Sequence, residues 1–135
     1  MRLAAIFSTA LAASAGVSAA PLEPRSSFVQ VPLPAPQNWA AGGSLFPGQI
    51  IAAYHADAKD YTADTWSAYV LEKCKGYTAC TSSLSYSAIN SGSTGGRFWF
   101  GFVFRGGATT VADYERVEEA ESGVTDSIAY TITSL

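Results

Sequence analysis

Apolar positions recur along this chain at two spacings, and each change of spacing marks an element. In RFWFGFVFR (Arg97 to Arg105), Phe98, Phe100, Phe102 and Phe104 take every second position, with Trp99, Gly101 and Val103 between them. A period of two belongs to a strand, whose successive side chains leave by opposite faces. SSLSYSAIN sets Leu84, Tyr86 and Ala88 against Ser83, Ser85 and Ser87, and SIAYTI sets Ile128, Tyr130 and Ile132 against Ala129, Thr131 and Thr133, predicting two more half-buried strands. QIIAAYH (Gln49 to His55), held between Pro47-Gly48 and Asp57, reads as a fourth. In TADTWSAYVLEKCKG the spacing becomes four, with Trp66, Val70 and Cys74 in one stripe and Tyr69 beside it. Thr62 or Asp60 can cap its start, Asp64 suits the first turn, and Lys73, Lys75 and Gly76 suit the end, so this is the main helix. Thr110 and Asp113 form a weak capping box for a short helix lined by Val111, Tyr114 and Val117, with a loop as the alternative. SGSTGG (Ser91 to Gly96) is a flexible connector of hairpin type.

The strand faces then suggest a division of labour. Burying one phenylalanine contributes about 1.5 to 3 kcal/mol, so the row of four contributes on the order of 10 kcal/mol. On that scale the row is expected to face the helix, with Leu84, Tyr86, Ile128, Tyr130 and Ile132 completing the layer. The reverse face then collects Ser83, Ser85, Ser87, Trp99, Gly101, Arg97 and Arg105, a flat aromatic among hydroxyls and cations. Gly101, two positions from Trp99, would let a ligand approach the indole closely. This face is the candidate binding surface; a tryptophan on the second face of a sheet is more often covered by a loop or, here, by the N-terminal arm, and a contact between copies of the chain is the third reading. An equal reading of the arginines is that they keep an apolar strand from recruiting its own copies.

The start of the chain adds a compartment. Arg2, the apolar stretch LAAIFSTALAA and the small residues SAGVSAA have the layout of a signal peptide, with cleavage expected after Ala19. Residues 20–48 hold all six prolines and no sustained periodicity. They read either as a prosegment that does not fold or as an arm laying Phe28, Val29, Val31, Leu33 and Trp39 against a domain spanning 49–135. Without Arg2, 7 basic side chains face 11 acidic ones, a formal charge of -4 rather than -3. That balance does not suit a phosphate backbone, so nucleic acid is not an expected partner. No apolar run after residue 19 is long enough to span a membrane. In an oxidising compartment, the two cysteines Cys74 and Cys80 are expected to be joined.

Candidate chemistry is sparse. His55 is the single histidine, and NSGSTGG departs from the Gly-x-Ser-x-Gly elbow because Ser91 stands where a glycine is needed. Asp57, Asp60 and Asp64 suit helix-start roles, while Glu115, Glu118, Glu119 and Glu121 read as a solvated acidic run. One histidine and two nearby cysteines do not make a zinc site. No catalytic residue, metal or cofactor is therefore assigned.

The order of helix, Cys74, five residues, Cys80 and strand, followed by an aromatic strand and the ending DSIAYTI, resembles the PAN/apple-like modules of small secreted fungal proteins over about Ile50 to Ile132. The resemblance implies one helix on a curved antiparallel sheet, binding protein or carbohydrate without chemistry. This chain lacks the additional cysteines usual in that group, and no ligand residue carries over. Pattern and resemblance together predict a secreted α+β domain acting as a non-catalytic extracellular binding or host-interaction protein. The alternatives are a small hydrolase with carboxylates near His55, and a self-associating wall protein. Oligomeric state is left open.

Overall fold

The computed structural model describes residues 27–89, 96–118 and 123–133. The expected signal peptide, the connector apart from Gly96, and Glu119 and Glu121 lie outside these residues. The fold is α+β, one helix packed against antiparallel sheets. Strands β1 (Phe28–Gln30), β2 (Trp39–Ala41) and β3 (Ile50–Asp57) precede helix α1 (Ala63–Lys75). They are followed by β4 (Ser82–Ile89), β5 (Arg97–Phe104), β6 (Tyr114–Arg116) and β7 (Thr125–Ile132). The main sheet runs β1-β7-β4-β5-β3, and β2 pairs with β6 as a separate ribbon.

The helix begins where its capping chemistry directs. The Thr62 hydroxyl accepts from the Thr65 N–H at 3.2 Å, and the Thr62 N–H donates to the Thr65 hydroxyl at 2.8 Å. These reciprocal bonds satisfy donors that the first turn would otherwise leave unpaired. Trp66, Val70 and Cys74 form the buried stripe. At the far end Cys74 is joined to Cys80, both buried, which ties the helix to the start of β4. Replacing both cysteines by alanine is expected to lower stability by about 2 kcal/mol, read as a shift of the urea midpoint at unchanged slope. A midpoint that does not move would show that the bridge adds nothing to the fold.

The helix lies on the face opposite to the one expected. Cα partners share a face, and Ser83, Ser85 and Ser87 oppose Val103, Gly101 and Trp99, while Leu84, Tyr86 and Ala88 oppose Phe102, Phe100 and Phe98. The side under α1 is the first set: Trp99 and Val103 join Trp66, Val70, Cys74 and Cys80 in one core cluster. Ile128 and Tyr130 oppose Ser85 and Ser83, so they too sit on the helix side, and Ala129, opposite Leu84, takes the other. The physical reason is clearance. Serines and a glycine form a shallow trough into which a helix bearing Trp66 and Val70 can settle, whereas a row of phenyl rings would hold it off the sheet.

The phenylalanine side has a separate cover, supplied by the proline-rich arm. β1 pairs with β7, and Val31, Leu33, Trp39 and Leu45 form a second core cluster with Leu84, Phe104, Tyr114 and Ala129. Residues 27–48 are therefore part of the domain, and its packed portion does not begin at residue 49. Asp126, at φ 60°, sits where the β4–β7 register shifts. The bulge turns Ser127 toward the arm, where its Oγ accepts from the Trp39 N–H at 2.9 Å and lies 2.7 Å from the Trp39 carbonyl. Arg116 holds the proline loop from the other side, donating to the carbonyls of Pro34, Ala35 and Pro36 with its guanidinium 4.4 Å from the Trp39 ring. The segment 111–117 is a short 3-10 turn, Val111–Asp113, followed by β6. Thr110 and Asp113 form its capping box, but pairing with β2 draws the chain out before a helix can extend.

Candidate functional site

The expected binding face is the interior of the helix-sheet layer. Trp99 is 6% exposed, and its indole N–H points to the carbonyls of Ala58 at 3.1 Å and Tyr61 at 3.2 Å. Ser83, Ser85, Ser87 and Gly101 are buried beside it. Arg97 and Arg105 are exposed, yet both fasten the chain. Arg97 donates to Ser87 Oγ and the Gly123 carbonyl, each at 2.9 Å, and Arg105 donates to the Gly48 carbonyl at 3.3 Å. These seven residues therefore offer no continuous surface to a ligand. They were grouped correctly onto one side of the sheet, but α1 occupies that side.

What remains accessible is the part of the phenylalanine face that the arm does not reach. Val31, Leu33, Trp39 and Leu45 cover its Phe104 end. Toward the Phe98 end, Tyr86, Phe100 and Phe102 are only half-buried. Tyr86 stands 6.0 Å from Phe100 and 6.1 Å from Phe102, inclined at 38° and 36°. Phe46, 50% exposed, meets Phe102 edge to face at 6.1 Å. The rings line two adjoining hollows that share Ala40, Tyr86 and Phe102. One holds about 170 Å³ beside Phe46, and the other about 400 Å³, extending past Phe100 to Val117 and Val124.

The groove carries no ionisable side chain besides Tyr86, whose phenol is pushed up by burial and so stays neutral at ordinary pH. Its recognition chemistry is therefore apolar contact and ring stacking. A third hollow of about 480 Å³, between the arm and the bulge of β7, is lined by Gln30, Leu33, Gln37, Ala63, Asp126 and Ser127 among others. Of its polar lining, Gln37 donates to the Leu33 carbonyl and Ser127 is committed to the arm, while Gln30 and Asp126 are exposed at its rim.

Other titratable groups stand apart. His55 is exposed on β3, and among the described residues no cluster of His, Cys, Asp and Glu could hold a metal ion. Asp57 and Asp60 flank Lys59 at 3.7 Å and 3.1 Å. On the helix side the Tyr54 and Tyr77 hydroxyls lie 3.1 Å apart, a hydrogen bond that pushes the Tyr54 pKa up to about 12. Among the described residues, no helix is long and apolar enough to cross a membrane.

No family model, curated protein or solved structure matches this chain. The groove was partly legible in the alternation of β4 and β5. Which of its rings stay open depends on where the arm and the ribbon end, and no local pattern encodes that.

Proposed function

We propose that this chain is a secreted, non-catalytic binding protein that takes an apolar segment of a partner protein in the groove of Tyr86, Phe100, Phe102 and Phe46. The carrying observation is a set of half-buried rings lining an open hollow of about 400 Å³ whose side chains are apolar apart from the Tyr86 hydroxyl. That volume lies in the range of ligand sites, and exposed apolar surface of this kind marks interaction surfaces. Secretion is supported by the signal-like N-terminus and the Cys74–Cys80 bridge. The resemblance to PAN/apple-like modules favours binding over catalysis and leaves protein and carbohydrate both open. Lining chemistry favours protein, because a sugar ring is usually held by several polar side chains beside the ring it stacks on, and here the Tyr86 hydroxyl is the one polar side-chain group in the lining.

The test is a side-by-side screen of the disulfide-bonded chain against a library of hydrophobic and aromatic peptides and an array of wall polysaccharides. Peptides are expected to be retained and saccharides not. Phe46→Ala and Phe100→Ser should each weaken peptide binding by about tenfold, a loss of one buried aromatic contact, while the folded circular dichroism is kept. Saccharide binding that survives both substitutions would reject this reading.

A further inference from the structure

The two edges of the main sheet are unequal. β1 closes one edge with three residues, too short to template much pairing. β3 forms the other edge with eight residues, Ile50–Asp57, whose ionisable side chains other than Tyr54 are His55 and the terminal Asp57. It contains no proline or lysine, and its one irregularity lies between Ile50 and Ala52, leaving Ala52 to Asp57 in unbroken register with β5. Alternate N–H and C=O groups along that stretch point away from β5. Among the described residues no backbone group bonds to them. Natural sheets blunt such edges with charge, proline, bulges or a covering element, because an open edge pairs readily with another strand. The regular part of β3 has no proline, bulge or covering element, and its carboxylate, Asp57, stands at the very end.

The ends of this edge carry opposite charge. Ile50 lies opposite Phe104, which places Arg105 at that end, leaning toward the edge through its bond to the Gly48 carbonyl at 3.3 Å. Asp57 lies opposite Phe98, and just past it come Lys59 and Asp60, a group with one more acid than base. Arg97 does not neutralise it, since its guanidinium is turned across β4 to Ser87 and Thr125. Among the described residues Arg105 has no ion-pair partner.

From these observations we infer that β3 is a self-association edge: two copies of the chain pair β3 against β3, antiparallel, into one continuous sheet. Opposed residues in an antiparallel ladder have like backbone orientation, so the two-fold axis must pass at a residue, and the middle of Ala52 to Asp57 puts it at Tyr54 or His55. Antiparallel pairing brings Arg105 of each copy to the Asp57–Asp60 turn of the other, twice by symmetry, whereas parallel pairing would set like charge against like. Both helices then lie on one side of the joined sheet and both aromatic grooves on the other. The pair is weak and concentration-dependent, since one strand pairing buries less than the roughly 1,200 Å² of a standard interface.

The inference is independent of what the groove binds. Sedimentation equilibrium of the full disulfide-bonded chain is expected to show a reversible monomer-dimer equilibrium that weakens with added salt. Arg105→Glu should raise the dissociation constant about tenfold, because an attraction becomes a repulsion at two equivalent places. Asp57→Lys with Asp60→Lys should act alike, and combining all three changes should restore dimerisation. Hydrogen exchange should slow in β3 as concentration rises. A monomer at every concentration, or a dimer indifferent to the reversals and lost with Phe46→Ala, would overturn the assignment; the second result would place the contact on the aromatic groove.

Discussion

Trp99→Ala is expected to cost this protein much of its stability rather than to abolish recognition. The indole is buried between β5 and the turn that leads into α1, and its N–H serves the carbonyls of Ala58 and Tyr61. Removing it empties a volume that neighbours pinned by the sheet and by the Cys74–Cys80 bridge cannot fill, at a cost of about 3 to 5 kcal/mol. Small domains hold only about 5 to 15 kcal/mol in all, so the variant would retain a fraction of the original margin. Trp99→Phe separates the two contributions. It keeps most of the packing but leaves two carbonyls without their donor, and should cost about 1 to 2 kcal/mol. Urea denaturation followed by circular dichroism reads both. A Trp99→Ala protein as stable as its parent would mean that the indole is not buried beneath the helix.

Gly101→Ala should be the most damaging single-methyl addition in the sheet. A Cβ at this position would overlap the Val70 Cγ2 methyl and stand 3.2 Å from Cγ1 and 3.4 Å from Trp66 Cζ2. Valine in a helix has essentially one side-chain rotamer, so Val70 cannot swing clear, and α1 must lift off the sheet instead. Glycine is normally a poor strand residue, and alanine would recover about 0.5 to 1 kcal/mol on that account. Overpacking costs about 1 to 3 kcal/mol and wins. The diagnostic is the partner change. Val70→Ala alone opens a cavity and destabilises, but beside Gly101→Ala it removes the clash, so the double variant should exceed the additive expectation by about 1 to 2 kcal/mol. Strict additivity would show that the helix does not rest on Gly101.

Both predictions turn on a choice that the strand pattern leaves open. Alternation sorts the side chains of β4 and β5 into two sets that do each occupy one face, but β7 enters inverted, with Ile128 and Tyr130 beside the serines and Ala129 beside Leu84. Ranking those sets by apolar area assigns the phenylalanines to the helix, and this fails because area is not the only requirement for docking. A helix must come close enough to exclude water, and small residues permit that where a ridge of rings does not. The failure also has a source in the arm. A segment without periodicity reads equally as a linker or as a packed arm, and Val31, Leu33, Trp39 and Leu45 bury against the sheet because Ser127 and Arg116, about 80 or 90 residues further on, supply its backbone with hydrogen-bond partners. Such partners are invisible to any local window.

The linear chain by itself determined the helix, the four long strands, the pairing of Cys74 with Cys80 and the alternation of side chains within each strand, because these depend on spacing, capping groups and loop length over a few residues. Tertiary structure alone decided which face α1 covers, that the arm from Val31 to Leu45 forms a layer on the other, which side of the sheet the apolar set of β7 joins, and therefore that the accessible rings are Tyr86, Phe100 and Phe102 while Trp99 is sealed. Those outcomes are competitions between distant segments for the same surface, settled by shape and by hydrogen-bond partners that meet only when the sheet is assembled.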